Sequence, residues 1–200
     1  CMTIDVNLSR TDEYFFDNLD DIIEDTMLQM FILHPKNASE IAEAQQNASE
    51  YESLFYSLPL HLRGEADENC VAFSISSDED VASLPDTTKP LIVDQSFLND
   101  SIVIALKDAR GIILNATSAN NALENFYVSL GAGTIGSFDT ETLSALSMDR
   151  IVLQSSYPDH GFDEIFSTVK VISDAMFRPE QSIIARATKS SLELFGFRKS

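Results

Sequence analysis

Tryptophan is absent from this chain of 200 residues, and cysteine occurs only twice, as Cys1 and Cys70. Two cysteines cannot build a disulfide framework, and their surroundings do not space them as a zinc site, so a reducing cytoplasm is the expected setting. Cys1 stands ahead of Met2 and reads as a remnant of cloning. Positive charge is scarce too: 13 Lys and Arg against 32 Asp and Glu leave a net charge of −19. Nucleic-acid proteins gain affinity by neutralising phosphates with Lys and Arg. DNA binding is therefore not expected here without a metal cluster to supply the cation. The same field disfavours an anionic membrane. No apolar run approaches the roughly 18–20 residues of a membrane helix. No basic segment leading into an apolar stretch marks a secretory leader. Seven glycines and six prolines are scattered with no linker among them, which makes residues 1–200 one expected domain. What the chain does have is core material, with 44% hydrophobic side chains and 13 phenylalanines.

That apolar material comes in two alternating periods. Strand-like runs are expected at Thr3–Leu8, Met27–Leu33, Leu54–Leu60, Cys70–Ser76, Pro90–Val93, Gly111–Leu114, Tyr127–Ala132 and Ile151–Leu153. Between them, helical stripes are expected over Asp12–Thr26, after a cap at Asn37 or Ser39, over Phe97–Asp108 and Ala119–Phe126, and over Asp139–Met148. The acidic Asp78–Asp80 opens a very short helix at best. Two helices close the chain, Phe162–Ala175 and Pro179–Phe195, with Gly196 as the stop of the second. Eight short apolar strands alternating with helices predict an α/β fold, a compact (β/α)8 TIM-type barrel of parallel strands with its fourth helix shortened. An open doubly wound sheet is the alternative.

Taken by themselves, the local motifs point to structure. Gly131-Ala132-Gly133-Thr134-Ile135-Gly136 has the G-x-G-x-x-G spacing of a phosphate cradle. Yet the residue about 20 positions on is the neutral Gln154, and the next helix starts late, so a turn using glycine's φ freedom is expected. Backbone N–H groups there could still face an anion. Asp78-Glu79-Asp80 reads as a solvated helix start favoured by the helix dipole. Cys70 reads as a small core residue. Ser155-Ser156 has only His160 and Asp159 nearby, without an evident catalytic arrangement.

In a βα barrel the chemistry sits at the C-terminal ends of the strands. There the order of segments resembles the TatD family of metal-dependent hydrolases, TatD-related deoxyribonucleases with amidohydrolase-like barrels. That family opens with I-D-x-H-x-H-L, matched here by Ile4-Asp5-Val6-Asn7-Leu8-Ser9. LDDIIEDT (19–26) is similar to its first helix, and LFYSLPLH (54–61) to its G-x-H-P strand. IVLQSSYP (151–158) is similar to its L-L-E-T-D-S-P stretch, and ATKSSLELFGF (187–197) to its closing T-x-N-x-x-x-L-F-G helix. The resemblance implies a barrel acting on phosphodiester bonds of DNA through bound divalent metal. The implied ligand positions have changed, however. The first-strand histidine pair falls at Asn7 and Ser9, and the glutamate of the fourth strand at Ser74 or Ile75. The next two histidines fall at Asp94 and Leu114, and the final aspartate at Ser156.

Of these only Asp94 is an ordinary metal ligand. Neutral amides and hydroxyls do not offset the charge of two divalent ions. Without metal, water keeps a pKa near about 15.7 instead of about 7, and no hydroxide nucleophile forms. The expectation is a barrel that has lost its metal centre, holds no cofactor, and binds a protein or small ligand at its mouth. A rebuilt mononuclear site for zinc, manganese or magnesium is the alternative, drawing on His34, His61, Asp94, Asp159 and His160, which all follow predicted strands. A third possibility is a metal-free enzyme using Asp94 and a histidine as acid and base.

Overall fold

The computed structural model describes residues 2–85 and 88–197; Cys1 lies outside the described residues. Eight strands are present: β1 (Thr3–Leu8), β2 (Leu28–Leu33), β3 (Leu54–Pro59), β4 (Cys70–Ile75), β5 (Leu91–Asp94), β6 (Gly111–Leu114), β7 (Phe126–Leu130) and β8 (Ile151–Leu153). They form one sheet in chain order, every neighbouring pair parallel, curled into a nearly closed barrel. The helices are α1 (Glu13–Asp17), α2 (Leu19–Thr26), α3 (Ala38–Glu50), α4 (Asp78–Ala82), α5 (Asp100–Leu106), α6 (Thr140–Ala145), α7 (Glu164–Met176) and α8 (Glu180–Phe195). The shortened fourth helix is present, five residues long.

Strand alternation sorts the apolar residues into two clusters. One, around Phe31, Leu54, Tyr56, Phe73, Val93 and Ile113, fills the space between strands and helices. The other lies inside the barrel: Ile4 and Val6 of β1, Ile32, Phe55, Ala72, Ile92, Ile112, Leu114 and Val152. Leu194 and Phe195 at the end of α8 belong to this inner cluster. Phe197 reaches Phe55 with ring centroids 4.7 Å apart, so the C-terminal end of α8 closes the barrel floor where the strands begin. Gly196, with φ of 58°, makes the turn that brings Phe197 there.

Two predicted helices differ from what forms. The single helix over Asp12–Thr26 is two, parted at Asn18, whose side-chain amide donates to the Tyr14 carbonyl at 2.9 Å. Asp12 caps α1 by accepting from the Phe15 amide at 2.8 Å. The helix over Ala119–Phe126 is absent, and the segment is a run of turns. Asn120 sits at φ 49°, which ends any helix. The carbonyls of Ala119, Asn120, Leu123 and Phe126 accept instead from the Arg150 guanidinium, at 2.8, 3.4, 3.1 and 2.9 Å. A planar fork of donors satisfies the backbone without regular structure.

The barrel is joined by a side chain. No ladder links β8 to β1 among the described residues. The fully buried Asp5 of β1 bridges them: Oδ1 accepts the backbone N–H of Ser155, just past β8, at 2.8 Å and that of Asn7 at 3.0 Å. Its Oδ2 accepts the Ser155 hydroxyl. Burial pushes the Asp5 carboxyl up, opposed by these three hydrogen bonds. Above the seam, Tyr157 donates to both oxygens of Asp12, at 2.6 and 2.7 Å, and stacks on Phe162 with centroids 4.6 Å apart.

Replacing Asp5 by Ala strands three donors, two of them buried on Ser155, and is expected to lower unfolding stability by at least about 2 kcal/mol, at roughly 1–3 kcal/mol for each unpaired buried group. Asp5→Asn costs less than Asp5→Ala, because the Ser155 hydroxyl can turn to accept from the new amide while the carbonyl keeps both backbone donors. Urea denaturation of the two variants checks the order.

Candidate functional site

Two residues beyond the interior apolar layer, the same alternation places Ser57, Ser74, Asp94 and Ser129 inward at the C-terminal ends of β3, β4, β5 and β7, with Gln154 following β8. The mouth of the barrel is thus polar where its middle is apolar. Most of these groups are spent on one another. The Gln154 amide, almost completely buried, ties three strands together. Its Oε1 accepts from the Ser129 hydroxyl at 2.7 Å and the Asn115 backbone N–H at 2.9 Å, and its Nε2 donates to Asn115 Oδ1 at 2.7 Å. Asn115, held at φ 53°, in turn donates its Nδ2 to Asp94 Oδ2 at 2.7 Å. The other Asp94 oxygen accepts the Ser96 backbone N–H at 2.9 Å and its hydroxyl at 2.8 Å.

His34, just past β2, is engaged at both ring nitrogens. Nε2 lies 2.7 Å from the Val6 carbonyl and Nδ1 2.8 Å from the Ser57 hydroxyl. A carbonyl can only accept, so Nε2 carries the proton and Nδ1 accepts from Ser57. Burial pushes the imidazole down to about 4 and keeps it neutral.

The positions implied by the resemblance are occupied as follows. The Asn7 side chain reaches towards Asn115 Oδ1 at 3.5 Å. Ser9 donates its hydroxyl to the Tyr157 carbonyl, and Ser156 Oγ accepts the Gly133 N–H at 2.8 Å. Ser74 Oγ is buried without a protein partner, Ile75 packs in the outer core, and Leu114 belongs to the apolar interior. This donor set does not fit a pair of divalent ions. One carboxylate is present, Asp94, and both of its oxygens already accept hydrogen bonds; the other groups are neutral or apolar. The alternative set is dispersed. His34 borders a notch with Arg10 and Glu43, and His61 binds Asp80 at 2.6 Å. His160 pairs with Glu164 at 3.1 Å beside Asp159, in a third concavity. Among the described residues no three His, Cys, Asp or Glu side chains are placed to hold a metal ion.

Two further expectations are corrected. Gly131 and Gly133 do not use left-handed φ; of the described glycines only Gly196 does. They leave room for a close approach: a Cβ on Gly131 would stand 2.8 Å from Gln154 Cγ, and one on Gly133 3.1 Å from Ser156 Oγ. The amides of Gly133, Thr134 and Ile135 bind Ser156 Oγ and the Gly131 carbonyl, so they form no anion cradle. Asp80 is not a solvated helix start. It is fully buried, and its carboxylate accepts from His61 and the Ser76 N–H. Neither Asp80 nor the Asn115–Gln154 brace stood out in the sequence, where one lies in an acidic run and the other is two uncharged amides.

No family model and no curated protein matches the chain. Solved structures do. A TatD homologue, YJJV, from Escherichia coli K12 superposes with a TM-score of 0.75 at 15% identity, covering 99% of both chains. A TatD family hydrolase from Entamoeba histolytica gives 0.71 at 9% identity, over 97% of this chain and 98% of that one. An uncharacterized amidohydrolase from Saccharomyces cerevisiae gives 0.74 at 10%, over 97% and 99%. The fold is therefore the TatD-like TIM barrel that the sequence pattern resembled. No described helix is long and apolar enough to cross a membrane.

The half-buried, neutral His34 makes stability fall with acid. Unfolded, its imidazole takes up a proton near about 6.5; folded, only near about 4. The stability it contributes is complete above the unfolded value and is lost as pH falls through this window, by about 3 kcal/mol in all. Urea midpoints measured from pH 7 to 4 should fall more steeply for the native protein than for His34→Gln.

Proposed function

We propose that this barrel descends from metal-dependent hydrolases, no longer performs metal-assisted hydrolysis, and acts by binding a small polar ligand at its mouth. The observation carrying this reading is the closed run of hydrogen bonds from Ser96 through Asp94 and Asn115 to Gln154 and Ser129. A carboxylate braced by a neutral amide and two serine donors is a structural acceptor. It is the one charged member of a run of neutral amides and hydroxyls, which do not offset the charge of divalent ions.

The ligand chemistry follows from what remains at the surface of this half of the mouth. Asn7, Asn115, Ser156, Tyr157 and His160 border an open concavity of about 420 Å³. Amides and hydroxyls beside an aromatic ring suit a small ligand that both donates and accepts hydrogen bonds and carries little charge. Nucleic acid is a poor candidate, because the net charge of −19 repels phosphates and no cation cluster offsets it. The hydrolase and amidohydrolase names of the structural neighbours support the ancestry, while the changed donor set supports the loss.

Metal quantification on purified protein, together with single-stranded DNA hydrolysis in added Mg²⁺, Mn²⁺ or Zn²⁺, tests this. The expected outcome is well under one metal per chain and no cleavage above a protein-free control. Stoichiometric metal with cleavage abolished by Asp94→Asn would overturn it.

A further inference from the structure

The mouth has a second half, with a cavity of its own. Between the ends of β3, β4 and β5 lies a cavity of about 620 Å³ bordered by Lys36, Pro59, His61, Asp80, Asp94 and Phe97. Its wall carries a histidine–aspartate pair. Asp80 is fully buried, and its Oδ1 lies 2.6 Å from His61 Nδ1 and 3.0 Å from the His61 backbone N. Its Oδ2 accepts the Ser76 N–H at 3.0 Å. Burial alone would raise this carboxyl, but the hydrogen bonds outweigh it and hold it below the usual carboxylate range. An ionised carboxylate can only accept, so Nδ1 carries a proton and the ring is fixed with Nε2 turned away from the core. Nε2 lies 3.4 Å from the carboxylate of Glu79, which is 77% exposed. A surface pair of that length is weak and easily displaced.

A cavity-bordering histidine held in one tautomer by a buried carboxylate, its other ring nitrogen left to an exposed and displaceable partner, is the arrangement of a general base. Such a group needs no metal. Around it, Pro59 and Phe97 offer apolar wall, and Lys36 supplies positive charge on the same cavity. We infer that His61 and Asp80 form a metal-independent site that hydrolyses small carboxylic esters, with His61 Nε2 as general base and Asp80 as its positioning residue. This goes beyond the binding reading, because it uses the other half of the mouth and a different chemistry.

Each step balances. A water molecule gives a proton to Nε2 as its oxygen bonds to the ester carbonyl carbon, and the carbonyl electron pair moves onto oxygen as an oxyanion drawn towards Lys36. The pair returns, the bond from carbon to the leaving oxygen breaks, and the imidazolium passes its proton to that oxygen. Acid and alcohol leave, and the histidine is neutral again. The charged groups around the ring are Asp80 and Glu79 of α4, Asp94 at the end of β5 and Lys36 ahead of α3.

Chelator-treated protein assayed with p-nitrophenyl acetate provides the test. Hydrolysis should exceed that of the same protein unfolded in urea and should be insensitive to chelator. His61→Gln should lower kcat/KM at least tenfold, the low end of a general base's contribution being about a hundredfold. Asp80→Asn should lower kcat about tenfold or more while leaving KM within about twofold, as expected of a residue that holds the ring without touching substrate. A rate no greater than that of unfolded protein, an unchanged rate in folded His61→Gln, or an unchanged kcat in folded Asp80→Asn would each overturn the inference. A rate lost to chelator would overturn it as well, and would also count against the metal-free reading of the barrel, which the other outcomes leave standing.

Discussion

A curled parallel sheet must join its last strand to its first, and in this chain the join depends on the buried carboxylate of Asp5. With β8 only three residues long, little backbone is available for a ladder at the seam. Asp5 substitutes for it by accepting two backbone amides and a hydroxyl, which ties the start of the chain to the residue that follows the last strand. The arrangement has a cost, since a carboxylate taken fully out of water resists ionisation. It persists because the alternative is a set of buried donors with nothing to bind. The aromatic group of Phe15, Tyr157 and Phe162, and the contact of Tyr157 with the Asp12 cap, extend the same join to the helical layer.

From that join the two halves of the mouth diverge. On the side of β6, β7 and β8, neutral amides and serine hydroxyls line the wall and reach across to brace Asp94 at the end of β5. On the side of β3, β4 and β5, a carboxylate from α4 comes inward to meet a histidine. Both carboxylates have their oxygens engaged, yet the consequences differ. Asp94 faces amides and serines, which have no proton to trade at neutral pH, whereas Asp80 faces an imidazole, which has. The difference in available chemistry lies in the partner rather than in the carboxylate.

Much of the architecture was legible in the sequence. All eight strands announced themselves because each is an apolar run short enough to be a buried parallel strand, and the capping residues Asn37 and Asp139 marked two helix starts. The segment before Phe126 misled because its apolar spacing imitates a helix, while the group that organises it, Arg150, lies more than twenty residues away. The site was less legible for the same reason. Gln154 and Asn115 are unremarkable until three strand ends bring them together, and Asp80 looks like one of three solvated acids until β4 and the turn after β3 close over it. That Asn7, Ser9, Leu114 and Ser156 are neutral or apolar, at the positions where the resemblance implies metal ligands, could be read directly, since residue type alone shows it.

The floor formed by Leu194, Phe195 and Phe197 makes the barrel a blind vessel. A molecule taken up at the rim has no passage through the apolar interior and must depart by the route it entered. A ligand of either half of the mouth would therefore enter and leave on the same side of the barrel.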